Sequence, residues 1–579
     1  MRKIFMTMLA LLPMLAAAQV TKNVTLNEAG DLKNQITEGE KLSIVSLTVS
    51  GPMNGNDIKL LQQIVNRSKA KEQKGEYLTT TLDLSGAVIL EGKEGMKLKA
   101  DELPAGCFTD AKGLLTVKLP SGLKVISKNS FKGCSNLRDI SVPATLTTIE
   151  DAAFQDCSSL AAISLPAGLT NIGDEAFEDC DALQLVEIPA SVKKMGGQAF
   201  NDCKVLTTVN ILADLKEIEK STFKGCSNLQ NVVLPASLKT IGSDAFSGCK
   251  SMAALNLPAT VQEIGNGAFE GCSALTEIAL NNVSTIASNA FQGCKSLQAV
   301  SLAAISKLGS DAFKDCTSLT TAELQGSCKE ISSEAFSGCS SLNRVLLPSG
   351  LREISSNAFR GCKSLSAVEL PSTVEKIGSH AFENCSALTA IVIPNAVRKL
   401  GGSAFQDCTS LDNVSILGMI TELESDMFLN CKNLRTVNLP ASLTKIGTKA
   451  FQGCAMLNDI TLPVALAEIG DDAFEKCVSL ARVVIPTAVT TIGSDAFYEC
   501  TMLASVELSV ALKKIGGSAF AGCPSLREMK VNAPAPPSIS KSTFKDCNAC
   551  TFWVPKGCLP LYKADKVWGK LGIVREQEL

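Results

Sequence analysis

Apolar residues recur along this chain in one pattern that repeats about every 23 residues. One copy spans residues 137–157 and reads Leu-x-x-Ile-x-Val-Pro-x-x-Leu-x-x-Ile-x-x-x-Ala-Phe-x-x-Cys. Ile140 and Val142 alternate with polar residues, which is the periodicity of a strand. Pro143 lacks a backbone N–H and would end the hydrogen-bonded ladder. The pattern predicts a short strand, followed by two further inward apolar residues, the second of them Ile149.

The outer part of each copy is rich in Gly, Ser and Asp. In most copies Gly follows the last Ile, as Gly242 does, and we expect it to supply a turn conformation that side chains resist. Ser243 and Asp244 then precede an Ala-Phe pair. Such residues commonly cap helices, so this stretch predicts a capped short helix on the outer side.

The Phe of the repeat gives its register. It recurs from Phe108 to Phe544, and sixteen of the nineteen intervals are 23 residues, the others being 22, 22 and 24. One unit cannot cover its own apolar face, so the units must stack. Each strand would then pair in parallel with the next, about 4.8 Å away. The sequence predicts a solenoid of about twenty stacked 23-residue coils, with a parallel β-strand ladder on the inner face and short helical turns and loops outside.

The repeat resembles the BspA-like class of bacterial leucine-rich repeats. The resemblance rests on the unit Leu-x-x-Ile-x-Leu-Pro-x-x-Leu-x-x-Ile-Gly-x-x-Ala-Phe-x-x-Cys and covers residues 104–555. It implies a leucine-rich-repeat solenoid. It also implies a surface-exposed or secreted protein that acts as an adhesin for host matrix proteins or other cells.

The N-terminal segment, residues 19–103, lacks the full unit and is expected to cap the solenoid, as terminal repeats must. Alternating residues predict strands at 46–50 and 81–85. Between them, a helix with one apolar face is expected to begin at Asn56 or Asp57.

The C-terminal segment, residues 556–579, is expected to form a second cap. It follows the Pro-rich stretch 533–537 and a strand that carries Trp553. That Trp is the one candidate aromatic anchor for a ligand, although packing in the cap is the alternative use.

Residues 1–18 have the composition of a secretory signal peptide. Arg2 and Lys3 precede an apolar run, and small residues end at Ala18, after which we expect cleavage. No later apolar run is long enough for a transmembrane helix. The chain is therefore expected to be exported, secreted or at the cell surface, and its mode of retention there stays open.

Charge and composition argue against nucleic-acid binding and against catalysis. The chain has 55 basic and 58 acidic residues without a clustered basic footprint. His380 is the one histidine, so a Ser-His-Asp or Cys-His mechanism would have to use it. His380 lies two residues before Phe382, at a loop position where the residue type varies among copies. We expect no enzyme, no cofactor and no metal, and the composition leaves the oligomeric state open.

Nineteen of the 23 cysteines lie three residues after a repeat Phe. Parallel identical side chains are poorly placed for disulfides, so we expect buried thiols. Cys550 and Cys558 are the one pair considered for a disulfide, and Cys547-x-x-Cys550 alone is a weak zinc signal. The predicted core ladder includes Phe131, Phe154, Phe177, Phe359, Cys134, Cys157 and Cys180.

The strand ladder exposes two columns, eight and ten residues after each Phe. None of their 38 residues is aromatic, eight are acidic and four are basic. Such a face suits an extended protein ligand held by many modest contacts; a structural spacer or surface-layer element without a ligand is the alternative. The candidate binding residues, which combine charge with apolar groups, are Glu323, Arg344, Leu346, Glu369 and Val392.

Two consecutive 22-residue intervals run from Phe269 to Phe313. Each shortened copy also lacks the Pro that ends the strand. We expect a change in bend or twist between residues 270 and 330, because solenoid shape sums the rotations of its repeats. The alternative is a deletion absorbed within one loop.

Overall fold

A computed structural model describes residues 19–66, 79–547 and 549–577 of the chain. It divides into two compact units, Met1–Asp214 and Leu215–Leu579. Both consist of stacked parallel β coils, so the predicted leucine-rich-repeat solenoid is confirmed. The expected signal peptide, residues 1–18, lies outside the described residues.

Each typical coil contains two short strands, of which the sequence predicted one. The predicted strand, such as Asp139–Ser141, pairs in parallel with its counterpart in the neighbouring coil. A second strand, such as Thr148–Ile149, pairs in the same way with Asn171–Ile172. We call the two series the first-strand ladder and the second-strand ladder. In both, side chains alternate between the core and the surface.

The N-terminal unit joins its capping segment to the first-strand ladder without interruption. The helices among its described residues are Leu32–Gln35, Glu38–Lys41 and Gly55–Val65. The first strands are Val20–Thr25, Ile44–Met53, Thr81–Asp83, Thr116–Lys118, Asp139–Ser141, Leu185–Ile188 and Thr208–Ile211. The second strands are Glu102–Leu103, Val125–Ile126, Thr148–Ile149, Asn171–Ile172 and Lys194–Met195, and Ala87–Ile89 pairs with the end of Ile44–Met53.

The longest helix of the capping segment begins slightly earlier than expected. Its cap is Asn54, not Asn56 or Asp57, because the Asn54 side chain accepts hydrogen bonds from both of their backbone N–H groups. The Asp57 carboxylate accepts in return from the Asn54 backbone N–H at 2.9 Å. This reciprocal arrangement is a capping box, which satisfies donors at both positions.

The C-terminal unit contains the same two kinds of ladder. Its first strands are Asn231–Val233, Ala254–Leu255, Glu277–Ile278, Ala299–Leu302, Thr321–Leu324, Arg344–Leu346, Ala390–Ile393, Asn413–Ile416, Thr436–Asn438, Arg482–Val484, Ser505–Leu508, Glu528–Val531, Thr551–Val554 and Ile573–Glu576. Its second strands are Glu217–Ile218, Thr240–Ile241, Glu263–Ile264, Thr285–Ile286, Lys307–Leu308, Glu330–Ile331, Glu353–Ile354, Lys376–Ile377, Lys399–Leu400, Glu422–Leu423, Lys445–Ile446, Glu468–Ile469, Thr491–Ile492 and Lys514–Ile515. Helix Leu559–Ala564 and the 3-10 turn Trp568–Lys570 lie near the end of the chain.

The outer connections are turns, so the expectation of short helices there is wrong. Across residues 104–547, all of which are described, no helix occurs. Asp244 has a left-handed φ of 54°, which a continuing helix does not allow. Its N–H and that of Phe246 donate to carbonyls of the next coil, those of Asn266 and Ala268, at 2.7 and 2.8 Å. The backbone donors that a helix would use therefore join one coil to the next.

The glycine after the second strand has a different purpose from the one expected. Gly242 and Gly493 do not adopt the left-handed conformation. A Cβ on Gly493 would lie 2.4 Å from the backbone nitrogen of Asp471 in the preceding coil. Close approach between coils, not a special turn conformation, therefore explains this glycine.

The repeat Phe rings stack along the core of each unit. Phe131 and Phe154 have centroids 5.3 Å apart with nearly parallel rings, and Phe359 lies 5.5 Å from Phe336. These side chains and Phe177 are fully buried. Offset stacking at this separation is favourable for aromatic rings.

The stack also runs unbroken through the two shortened coils. The ring centroid of Phe291 lies 5.1 Å from those of both Phe269 and Phe313. The shortened turns therefore leave the Phe core intact, and the change of rotation between residues 270 and 330 stays a prediction.

The cysteine ladder lies beside the Phe stack, and all 23 cysteines are free thiols. The considered disulfide between Cys550 and Cys558 is therefore not formed. Each typical ladder thiol donates to the carbonyl of a Phe in the preceding coil, a bond that the sequence did not suggest. The Sγ to O distances are 3.1 Å for Cys134 to Phe108, 3.2 Å for Cys157 to Phe131 and 3.3 Å for Cys180 to Phe154.

The C-terminal segment packs against the Pro-rich stretch 533–537 and is hydrogen-bonded to it. The Tyr562 hydroxyl donates to the Ala533 carbonyl and the Trp568 indole N–H donates to the Pro537 carbonyl, both at 2.7 Å. Both aromatic side chains are fully buried. Strand Ile573–Glu576 pairs in parallel with the strand before it, so strand pairing crosses the expected boundary at residue 555.

Candidate protein-binding surface

The first-strand ladder exposes alternate side chains, as its sequence pattern requires. In strand Ala390–Ile393 the Ile side chains are buried, whereas Val392 is 54% exposed. Leu346 is 43% exposed in strand Arg344–Leu346. Large aliphatic side chains this exposed can supply binding energy when a ligand covers them.

The structure brings the first three candidate residues together. Glu323 lies opposite Leu346 in the strand register, and its carboxylate is 3.6 Å from the Arg344 guanidinium. The Arg344 side chain remains 68% exposed. An exposed ion pair of this kind contributes little to stability, so exchanging Glu323 for another carboxylate at this guanidinium would cost little.

Two shallow grooves flank Glu369, the fourth candidate residue. One has a volume of about 660 Å³ and is lined by Arg344, Leu346 and Glu369 among others. The other, of about 410 Å³, is lined by Glu369, Val392 and Leu417 among others. Both lie where residues 365–370 form no strand, between two paired segments of the first-strand ladder.

A further groove lies on the same ladder at a place that sequence reasoning missed. Its volume is about 440 Å³, and it is lined by Val464, Arg482, Val484, Glu507 and Val510 among others. Its chemistry is similar to that of the first groove, with one Arg, one Glu and exposed aliphatic side chains, and it has a second carboxylate, Asp459.

A signal for this further groove is present in the sequence. Arg344, Leu346 and Glu369 recur as Arg482, Val484 and Glu507. Each pair is separated by 138 residues, or six coils of 23. An Arg in the first exposed column, followed in the next coil by a Glu in the second column, occurs in these two places alone among the 38 column residues.

Trp553 is half-buried in the last but one strand of the first-strand ladder. The Arg575 guanidinium lies 6.0 Å from the centre of its ring, within cation–π distance. One face of this Trp therefore contacts the C-terminal segment.

The single histidine belongs to an ion cluster in an outer turn. The Glu383 carboxylate lies 2.9 Å from His380 Nδ1 and forms an ion pair with Arg360, whose Nε is 3.0 Å away. None of these three residues lines the grooves described above. His380 has a φ of 59°, a left-handed conformation shared by the same position of sister coils such as Asp244.

Buried thiols of the cysteine ladder are held in their protonated form, as three examples illustrate. Burial raises the pKa of Cys134, Cys294 and Cys408 to about 12. A thiol with so high a pKa is a poor nucleophile at neutral pH. Among the described residues, no three or more His, Cys, Asp and Glu side chains converge in a way that could hold a metal ion.

None of the helices in the described part of the chain combines the length and the apolar character that spanning a bilayer requires.

Solved structures of similar proteins come from several bacteria. A leucine-rich repeat protein from Bacteroides ovatus is 24% identical over 81% of this chain and 97% of its own, with a TM-score of 0.46. The Treponema pallidum leucine-rich repeat protein is 32% identical over 31% of this chain and 80% of its own, with a TM-score of 0.27. A leucine-rich cell surface protein from Faecalibacterium prausnitzii is 19% identical over 75% of this chain and 84% of its own, with a TM-score of 0.23. No curated protein matches the chain.

The repeat itself matches a family model described as BspA type leucine-rich repeat region. The matches span residues 101–229, 216–343, 306–435 and 421–551, which together cover most of the chain. Leucine-rich-repeat solenoids are typically scaffolds for protein interaction. The chain belongs to the family of proteins with BspA-type leucine-rich repeats.

Proposed function

We propose that this chain is an exported protein-binding module that presents the first-strand ladder to an extended protein ligand on a host matrix or on another bacterial cell. The observation that carries the proposal is the pair of chemically similar grooves six coils apart, one at Arg344 and one at Arg482. Each offers an exposed cation, a carboxylate and aliphatic side chains. An extended polypeptide supplies the complementary groups at regular intervals.

Two engaged grooves would act together. At about 4.8 Å per coil, six coils span about 29 Å along the ladder. A ligand that contacts both grooves gains from effective concentration, so its affinity exceeds that of either groove alone.

The test uses immobilised host extracellular-matrix proteins and intact bacterial cells as probes for the mature chain. We expect Arg344→Glu/Glu369→Lys and Arg482→Glu/Glu507→Lys each to reduce binding by about tenfold or more, because each reverses the charges of the Arg and the Glu of one groove. Glu187→Lys, on the first-strand ladder of the N-terminal unit, is the matched control and should leave binding unchanged. A wild-type chain that retains no probe in a salt-dependent manner would instead support the spacer or surface-layer role.

Export is a separate part of the proposal and has its own test. Expression of the full chain in a bacterial host should yield a product whose N-terminal residue is Gln19, since cleavage is expected after Ala18. A cell-associated product that still begins at Met1 would contradict export.

A further inference from the structure

The second-strand ladder of the C-terminal unit exposes a charged column that the proposed binding surface does not use. In each second strand the last residue is buried, and the residue before it faces outward. Over six consecutive coils these outward residues are Lys307, Glu330, Glu353, Lys376, Lys399 and Glu422.

Two steps of this column place like charges side by side within one chain. Glu330 lies opposite Glu353 in the strand register, and Lys376 lies opposite Lys399. Like charges directly opposite each other destabilise a sheet. The Ser355 hydroxyl, 2.7 Å from Glu330 and 3.2 Å from Glu353, offsets part of the acidic repulsion. The middle step is favourable, since Glu353 and Lys376 form an ion pair.

The order of the six signs is self-complementary. Consider a two-fold axis that runs parallel to the strands and passes between Glu353 and Lys376. Rotation about it turns the face over and reverses the order of the coils, while the strand direction is kept. Glu353 then meets Lys376 of the second copy. The acidic pair Glu330 and Glu353 of one copy lies against the basic pair Lys376 and Lys399 of the other.

The outer pairs follow the same rule. Glu330 meets Lys399 of the second copy, and Lys307 meets Glu422 of the second copy, whose carboxylate also forms an ion pair with Lys445 of its own chain at 3.0 Å. Every contact occurs twice, as it must in an isologous interface. The residues that follow the four central strands are Ser or Gly, so no bulky side chain there holds a second copy away.

We propose that the second-strand face of residues 307–422 is the interface of an antiparallel homodimer. A second copy of this chain is the partner because it supplies the same six signs in the reverse order. Complementary charges of this kind fix the register and orientation of a pair more than they add affinity. Exposed charges are also screened by salt, so the dimer dissociates as ionic strength rises.

Sedimentation velocity of the mature chain tests the proposal. We expect a dimer at about 0.01 M salt and a monomer at about 1 M salt, since the Debye length falls from about 30 Å to about 3 Å. Glu330→Lys/Glu353→Lys makes the centre of the column uniformly basic, and Lys376→Glu/Lys399→Glu makes it uniformly acidic. Each double variant should be monomeric alone, whereas an equimolar mixture of the two should form heterodimers.

The combined variant with all four substitutions is the decisive case. It restores the self-complementary order of the central four residues with the signs exchanged, so the dimer should return. Glu277→Lys, which changes the same charge on the first-strand ladder, is the control and should leave the dimer intact. Circular dichroism establishes that each variant is folded. A wild-type monomer at low salt, a dimer that survives either double reversal, or a folded fourfold variant that stays monomeric would overturn the proposal.

Discussion

The repeat cysteine combines apolar packing with a directed hydrogen bond. The Cys362 side chain is fully buried, and its Sγ donates to the Phe336 carbonyl at 3.3 Å. Without that donor the carbonyl would lose a partner in a buried region, which is costly. Ala fills less of the space and cannot donate, while Leu is too large for it. Size and donor capacity together account for Cys at this position in nineteen coils.

Thiol labelling of the native protein should modify one cysteine rapidly. Among the cysteines, all of which lie in the described part of the chain, Cys558 alone is not buried. We expect Cys558→Ser to abolish the fast reaction and Cys550→Ser to leave it unchanged. Denaturation without reductant should then expose all the remaining thiols to the reagent. A low count after denaturation would mean that disulfides form.

Replacing Phe359 tests the aromatic stack. Its ring lies between Phe336 at 5.5 Å and Phe382 at 5.4 Å. Phe359→Ala should lower the free energy of unfolding by about 3–5 kcal/mol in urea titrations, because it leaves a cavity. Phe359→Leu keeps most of the volume and should cost less. An unchanged midpoint for the Ala variant would show that this column is not part of the cooperative core.

At the scale of the element, the sequence predicts structure that a local pattern determines, and it does not predict structure that depends on pairing between coils. The first strand is predictable because apolar alternation ends at a Pro, as at Pro143. The second strand, such as Thr148–Ile149, has only two residues and therefore no alternation to detect. The turn at Asp244 resembles a helix start, yet its N–H bonds to Asn266 in the next coil, a pairing that a local pattern does not contain.

The candidate site likewise has a part that the sequence predicts and a part that it does not. The exposed columns follow from the 23-residue register, so Arg344 and Leu346 could be selected from the sequence. The grooves could not, because they depend on where strand pairing lapses, as it does at residues 365–370.

The C-terminal segment should prove essential to the last coils. Trp568 is fully buried and contacts Phe544 and Phe552, with ring centroids 5.7 and 5.8 Å away. Trp568→Ala should cost about 3–5 kcal/mol and promote aggregation, because it opens the end of the core. Leu561→Ala is the matched control, since Leu561 is 55% exposed. Equal light scattering from the two variants on heating would contradict a capping role.

At the scale of the whole molecule, the thiol ladder makes stability depend on alkaline pH. Burial raises the folded-state pKa of Cys408 and Cys500 to about 12, whereas the pKa of an unfolded thiol is about 8.5. The stabilisation is complete below about pH 8.5 and is lost as pH rises toward about 12, because only the unfolded chain releases its thiol protons. Each such thiol should therefore make the free energy of unfolding fall as pH rises through that range.

Urea titrations at about pH 8 and about pH 9 measure this slope, since the unfolded thiols begin to lose their protons there. Replacing Cys385 and Cys408 together by Ala should reduce the slope by the contribution of two protons. Lys363→Gln, which removes a charge at an exposed position without touching a thiol, serves as the control and should leave the slope nearly unchanged. A slope that is the same with and without the two thiols would refute the linkage.

The coil-to-coil register also bears on how such a chain changes over generations. The Phe and both strands of a coil contact their counterparts in the adjacent coils, and the Cys contacts the Phe carbonyl of the preceding coil, so any two neighbouring coils present nearly the same surfaces. Unequal recombination between repeats of the coding sequence would add or remove whole coils and leave every remaining junction intact. The number of coils could therefore change readily during evolution. The two terminal segments have no equivalent within the array, so a functional recombinant must keep both of them.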